Sequence, residues 1–412
     1  MSGLAAPGDA AAWPLPAGVP RWVRRILIGR ALRALADGYV AVLLPAYLLA
    51  QGLALVDVGL LSTATLAGSA AGTLAIGAWA HRLGRRPLLL GAALLMAATG
   101  GAFAALSSFW PLALVAFVGT LNPSSGDVSV FLPIEQAELA GAAGTSEART
   151  ALYARYSLAG SLFAAIGALC AAVPAWLVAH AGLALIDALR AMFAAYGAIG
   201  LVVWLLYRGI DEPAPGSRAR AAPLAASRAV VTRLAALFCV DSFASGLLVN
   251  ALLSAWLYQR FGLSLAGAGR FFFWAGLLAT ASQLLAPPCA RRFGLVNTMV
   301  FTHIPASLFL IGAAFAQSLP LALALLLARS ALSQMDVPAR NAFVMAVVTP
   351  QERVAAASFT AVPKSLAAAA GPSLGGVLLA SGVLAAPLIA CGVLKIGYDL
   401  ALLRAFRRHA VH

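Results

Sequence analysis

The sequence predicts an all-α membrane protein of twelve transmembrane helices in two six-helix, pseudo-symmetric halves. Three observations carry that expectation. The 412 residues are 62% hydrophobic and only 10% charged, whereas a water-soluble domain is about 25% charged. Twelve apolar stretches are each long enough to cross a bilayer, which takes about 20 residues. Several residues also recur between the two halves at a constant spacing. A mean hydropathy of +0.91 excludes a disordered chain, a collagen and a small disulfide scaffold.

Residues 1–20 are rich in Ala, Gly and Pro and carry one charge, Asp9. They lack the basic start and apolar run of a signal peptide, so a flexible N-terminal tail is expected. The N-terminal half, 21–209, holds apolar segments near 26–50, 56–80, 87–107, 111–134, 151–179 and 184–207. Residues 210–228 interrupt the pattern with Asp211, Glu212, Pro213, Pro215, Arg218 and Arg220, the composition of a cytoplasmic linker. The C-terminal half, 229–408, repeats the scheme near 230–258, 264–286, 295–316, 320–348, 354–380 and 384–404, before a short tail, 409–412.

The chain has 28 basic against 14 acidic residues. In a soluble protein that excess would point to nucleic acid. Here the arginines gather in alternate loops: Arg24, Arg25, Arg82, Arg85, Arg86 and Arg149, then Arg208, Arg291, Arg292 and Arg353. The opposite loops keep only Arg260. This bias places both termini in the cytoplasm of a cell (inner) membrane protein and removes any need for a nucleic-acid partner. The four cysteines and five histidines form no C-x-x-C or ligand spacing, so no disulfide, metal or cofactor is expected.

Gly59, Ala80, Arg82 and Gly84 return 210 positions later as Gly269, Ala290, Arg292 and Gly294, and Asp127 returns 209 later as Asp336. Two parallel-repeat halves imply a substrate site at their interface near mid-membrane. The segment GAWAHRLGRRPLL over 77–89 resembles the loop signature of the major facilitator superfamily, G-x-L-A-D-R-x-G-R-R/K-x-x-L. Gly77, Ala80, Arg82, Gly84, Arg85, Arg86 and Leu89 match, while His81 replaces the family's Asp and Trp79 its Leu. The resemblance covers about residues 21–408. It implies that the signature acts as a conformational latch on the cytoplasmic side. His81 has no fixed negative charge, so Glu135 at the end of helix 4 is a substitute partner for Arg82 or Arg85; a solvated Glu135 is the equal alternative.

Ionisable residues inside the spans carry the functional expectation. Asp37, Asp127, Asp241 and Asp336 fall on helices 1, 4, 7 and 10 at similar depth. The resemblance implies that these four helices line the central cavity. Charges in membrane spans usually face a cavity or a partner. Arg33 with Asp37, Asp336 with Arg340 and Lys395 with Asp399 have i,i+4 spacing, and Asp187 with Arg190 has i,i+3. For the first two pairs, local pairing and transport stand level; for the last two, pairing is expected. Asp127 and Asp241 have no basic neighbour one turn away, which suits proton coupling. Arg155 on helix 5 and Lys364 on helix 11 occupy corresponding positions, where they would neutralise a cavity aspartate or bind an anionic substrate. Arg270 and Arg329 would pair similarly or point to an interface, and His303 reads as a satisfied helix residue.

Asn122-Pro123-Ser124-Ser125-Gly126-Asp127 would break helix 4 in mid-membrane, beside protein or a water-filled cavity. Gly371-Pro372-Ser373-Leu374-Gly375-Gly376 would let helix 11 pack closely and bend. It resembles an element of antiporters in this superfamily, where that element belongs to helix 5; helix 5 here has Gly160 and Gly167 without it. Neither a phosphate-binding loop nor G-x-S-x-G or H-E-x-x-H is present, so a pump or an enzyme is not expected. The expected function is secondary active transport of a small organic solute by alternating access, as a monomer in the lipid bilayer with protons as the coupling ion. Efflux is expected, because the walls read as mainly Ala, Leu, Gly and Phe. Proton-coupled uptake of a small organic anion is the alternative, and a non-transporting membrane sensor or partner-binding protein is the reading from a different class.

Overall fold

The computed structural model describes residues 20, 22–124, 130–142, 146–210, 227–349 and 352–406; within them, the side chains of 77–83, 85, 137, 140, 146, 147, 353–355 and 358 are excepted. Among the described residues the secondary structure is helical throughout. The first half comprises α1 (Trp22–Ala50), α2 (Leu55–Leu83), α3 (Arg85–Ala105), α4 (Phe109–Val118), α5 (Phe131–Ala142), α6 (Ser146–Leu169), α7 (Val173–Ala181) and α8 (Leu185–Tyr207). The second comprises α9 (Arg228–Gly246), α10 (Asn250–Phe261), α11 (Leu265–Phe293), α12 (Leu295–Ala314), α13 (Leu319–Leu332), α14 (Asp336–Val347), α15 (Arg353–Ala380) and α16 (Ala386–Phe406). Pairing α4 with α5, α6 with α7, α9 with α10 and α13 with α14 gives twelve traverses. The N-terminal tail up to 19, most of the linker (211–226) and the C-terminal tail lie outside the described residues.

The repeat is visible in the backbone. α2 and α11 have the same length and start 210 positions apart. Each ends in a glycine that an L side chain would strain: Gly84 at φ 69°, ψ 162° and Gly294 at φ 85°, ψ 159°. The chain thus turns between the second and third helices of each half in one way.

Helices 4, 7 and 10 are interrupted. The break in helix 4 begins after Val118, at the Asn122-Pro123 segment. Helix 7, expected as one span, opens between Gly246 and Asn250, and helix 10 between Leu332 and Asp336. The openings in helices 4 and 7 serve each other. The Ala251 N–H donates to the Pro123 carbonyl at 3.0 Å, and Asn250 Nδ2 donates to the Ser124 carbonyl at 2.9 Å. Backbone groups freed inside a membrane must find such partners. Helix 11, by contrast, runs unbroken through Pro363 and Pro372.

The halves meet at the end opposite the chain termini. Ser254 Oγ donates to the Val42 carbonyl at 3.1 Å, and the Ser373 N–H donates to Thr63 Oγ1 at 2.9 Å. A Cβ on Gly59 would lie 2.9 Å from Gly376 Cα, so α2 and α15 touch there backbone to backbone. On the terminal side the pieces stay within their own halves: α5 packs on α1, α3 and α6, and α14 on α9, α11, α12 and α15.

Candidate functional site

On the terminal side of these contacts the halves enclose a cavity of about 480 Å³. Its lining includes Gly38, Ala41, Val42 and Gly160 from the first half and Phe271, Phe272, Ala306 and Ala368 from the second. The walls are thus small or aromatic, as the composition suggested. The charged lining is heavier than expected: Arg30, Arg329, Arg340, Lys364 and Lys395, with Asp241, Asp336 and His303.

Most of these charges come from the second half. Asp241 sits on α9 one turn before the helix-7 opening and is 5% exposed. Lys395 Nζ on α16 donates to its Oδ1 at 2.7 Å, and Arg340 Nη1 on α14 donates to its Oδ2 at 2.9 Å. Arg340 also lies 3.4 Å from Asp336. His303 on α12 joins from the far side, with Nε2 3.3 Å from Lys395 Nζ and Nδ1 3.1 Å from Asp399. Four helices therefore hold one connected network of buried charges. A buried carboxylate deprived of its partners would be strongly destabilising, which explains why two cations converge on one aspartate.

The long-range partners change how several sequence expectations read. Asp241 has no basic neighbour one turn away on its own helix, as the sequence shows, but other helices bring Arg340 and Lys395 to it. Lys395 and Asp399 do not form a self-contained pair, since Lys395 reaches Asp241 and Asp399 reaches His303. His303 is a satisfied helix residue, as expected, and its partners Asp399 and Lys395 join it to the network. Asp336 and Arg340 do approach at the i,i+4 spacing, but Arg340 has its shorter contact with Asp241. Asp187 and Arg190 stand 3.7 Å apart on an exposed stretch of α8.

In the first half, Arg33 forks onto Glu135, Nη1 to Oε1 at 2.7 Å and Nη2 to Oε2 at 2.6 Å. Tyr156 donates to the same carboxylate at 2.6 Å, as does Tyr207. Glu135 is fully buried. It is not solvated: its described partners are Arg33 and two tyrosines, while the side chains of Arg82 and Arg85 lie outside the described residues. Arg33 and Glu135 do not border the cavity. Asp37 is buried between cavity-lining Arg30 and Gly38, beside Arg30, Arg33 and Asn122, but is not itself in the lining. Arg155 is likewise buried away from the cavity, with Nη1 donating to the Ala151 carbonyl at 3.2 Å. Arg270 is exposed on α11.

Asp127 and Gly126 lie outside the described residues, as do the side chains of Gly77, His81, Arg82 and Arg85. Of the signature, Arg86 is described: its Nη2 donates to the Arg208 carbonyl at 2.6 Å, tying the start of α3 to the end of α8. Pro123 marks the helix-4 opening. Gly371 and Gly375 are packing points inside the second half: a Cβ on Gly371 would lie 2.5 Å from Gly246 Cα, and one on Gly375 2.1 Å from the Leu247 carbonyl.

The pattern described as the Major Facilitator Superfamily matches residues 26–328. The chain belongs to the Major Facilitator Superfamily. It is therefore a membrane transporter of small solutes, a secondary transporter in kind. A Saccharomyces cerevisiae protein described as an uncharacterized membrane protein is 26% identical over 407 residues, covering 90% of this chain and 91% of its own. Solved structures of superfamily members share the fold. A bacterial homologue of the human lysosomal transporter Spinster, in an inward-facing and occupied conformation, aligns with a TM-score of 0.74 and 17% identity over 94% of this chain and 96% of that one. The xylose transporter XylE from E. coli, partially occluded and inward open, gives 0.68 and 14% over 94% and 100%. The human organic anion transporter MFSD10 gives 0.61 and 20% over 93% and 100%.

Proposed function

We propose that this superfamily member moves a small organic solute by alternating access and couples the movement to protons at the Asp241 cluster. One observation carries the reading: a carboxylate shared by Lys395 and Arg340 borders the cavity enclosed between the two halves. Such a carboxylate has two alternatives to its present state. It can exchange a cation for a proton, or a cation can leave it for a substrate group. Either exchange changes the contacts among α9, α14 and α16, and a ligand shifts a two-state equilibrium only through such differential contacts. With the termini in the cytoplasm, the cavity described here faces inward. Small and aromatic walls around a group of charges leave efflux and uptake both open, and the proposal is for coupled transport without a direction.

The test is flux in proteoliposomes. A set of labelled small solutes is offered with and without a pH gradient, while internal pyranine reports proton movement. We expect at least one solute to move with protons, and Asp241→Asn to abolish the gradient-driven component while the protein still reconstitutes. Asn keeps the shape of Asp but cannot exchange a proton. Driven flux at the wild-type rate in Asp241→Asn would remove this site from coupling. A complete lack of flux for every solute would favour a non-transporting sensor instead.

A further inference from the structure

Two of the cations bordering the cavity form no ion pair or hydrogen bond with the Asp241 network among the described residues. Arg329 closes α13, next to the helix-10 opening, and Lys364 lies within α15. Among the described residues neither has an ion-pair partner within 4.0 Å, and neither side chain makes a hydrogen bond. Yet both are largely withdrawn from solvent and border the same cavity. Arg340 and Lys395 are already matched to Asp241 and Asp336, so Arg329 and Lys364 add positive charge to the cavity lining beyond those pairs. Lys364 has a further reason to want an anion. It stands near Arg340 and Lys395 as well as near the two aspartates, so its surroundings repel as well as attract.

Holding uncompensated cations in a membrane interior costs several kcal/mol unless something offsets them. A protein has little reason to keep two such groups in one cavity unless the missing counter-charge is supplied from outside. Phe271, Phe272, Ala275 and Ala306 provide an apolar surface in the same cavity, which suits a ligand with a hydrophobic body.

We propose that Arg329 and Lys364 form the anchor of the substrate site, and that the substrate is an organic anion with a carboxylate or phosphoryl group on an apolar body. The assignment rests on the transport reading above and names its substrate class. Arg329, with its planar fork of donors, would take two oxygens of the anionic group; Lys364 would act as a point charge. The substrate then neutralises these two cations while Asp241 keeps its own, so binding the anion and occupying the coupling site are separate events on neighbouring groups. Their proximity provides the means for one to influence the other.

The test uses the full-length protein in lipid nanodiscs and saturation-transfer NMR, which detects weak ligands without requiring transport. Four probes of similar size separate charge from shape: benzoate, phenyl phosphate, benzamide and benzylamine. We expect benzoate, phenyl phosphate or both to receive saturation, and benzamide and benzylamine to receive little. Preference between the two anions identifies the anionic group. Arg329→Gln and Lys364→Gln are each expected to weaken the bound anion by roughly tenfold to a hundredfold, the effect of losing one charge-assisted contact. Lys364→Arg, which retains the charge, should recover most of the loss and shows that the effect is not a folding defect. Benzamide or benzylamine bound as well as the anions would overturn the assignment. So would an absence of anion binding, or unchanged affinity in both Gln variants. None of these results bears on whether protons and some other solute move together, so the anion assignment can fail while coupled transport stands.

Discussion

On the proposed alternating-access function, a single methyl group at Gly59 should shift the balance between the two conformations. The structure supplies the size of the effect. A Cβ at Gly59 would stand 2.4 Å from the Pro372 carbonyl oxygen and 2.9 Å from Gly376 Cα. Both are backbone atoms of α15, so no side chain can swing aside and the two halves must part. Overpacking of this kind costs about 1–3 kcal/mol. The gain of up to about 1 kcal/mol in helix propensity from Gly to Ala applies to both conformations and cancels in their ratio. Gly59→Ala should therefore favour the state in which the α2–α15 contact is open by roughly five- to 150-fold. Gly38 provides the control: a Cβ there would lie 2.1 Å from the Ala164 carbonyl, but α1 and α6 belong to one half. Gly38→Ala should lower overall stability without shifting the ratio. The assay is a distance distribution between spin labels at Ala50→Cys and Arg260→Cys, on a background in which Cys170, Cys239, Cys289 and Cys391 are replaced. A longer-distance population should grow in Gly59→Ala and not in Gly38→Ala. An unchanged distribution in Gly59→Ala, or equal shifts in both, would refute the rigid-halves reasoning.

Glu135→Gln should destabilise the first half, since Arg33 loses its counter-charge in a buried site; a loss of about 3–5 kcal/mol is expected, read as a lower melting temperature in detergent. Cysteines introduced at Gly52, Ser108 or Leu319 should react with an impermeant reagent from outside, and those at Gly84 or Ser217 only after permeabilisation; the reverse pattern would invert the proposed orientation.

Much of the architecture is legible in the sequence because hydropathy reports the solvent of each segment. The twelve apolar stretches coincide with the traverses, and the Gly84–Gly294 spacing marks the repeated turn. The helix-4 opening is legible as well, because Pro123 cannot donate to the ladder. The openings in helices 7 and 10 were not anticipated. Gly246-Leu247-Leu248-Val249-Asn250 is an apolar run with no breaker stronger than glycine, and its opening is stabilised by groups from helix 4, more than a hundred residues away. The ionic partners were missed for the same reason. The i,i+4 rule sees only neighbours on one helix, whereas Arg33–Glu135, Asp241–Arg340 and Asp241–Lys395 span 102, 99 and 154 residues. The single overlooked signal was Lys395 itself. A lysine in the middle of an apolar last helix needs a partner of stronger hold than an exposed-type local pair.

These long-range pairs also explain how a symmetric scaffold acquires an asymmetric task. In each half a charge on the first helix meets an opposite charge on the second piece of the fourth. The signs are reversed: Arg33 meets Glu135 in one, and Asp241 meets Arg340 in the other. In the first half, two tyrosines complete the shell of Glu135 and the pair is sealed from the cavity. Its groups have little reason to exchange partners, so the pair braces three helices and α8 into a unit. In the second half Asp241 takes Lys395 as its second partner, with His303 beside that lysine, and the carboxylate is left at the cavity wall. The charged groups there border the space that a substrate would occupy. The same geometric device thus serves as a fixed strut in one half and, on the proposed function, as the moving part in the other. On the proposed function, coupling concentrated in one half would let the other act as a rigid reference against which the first can rock.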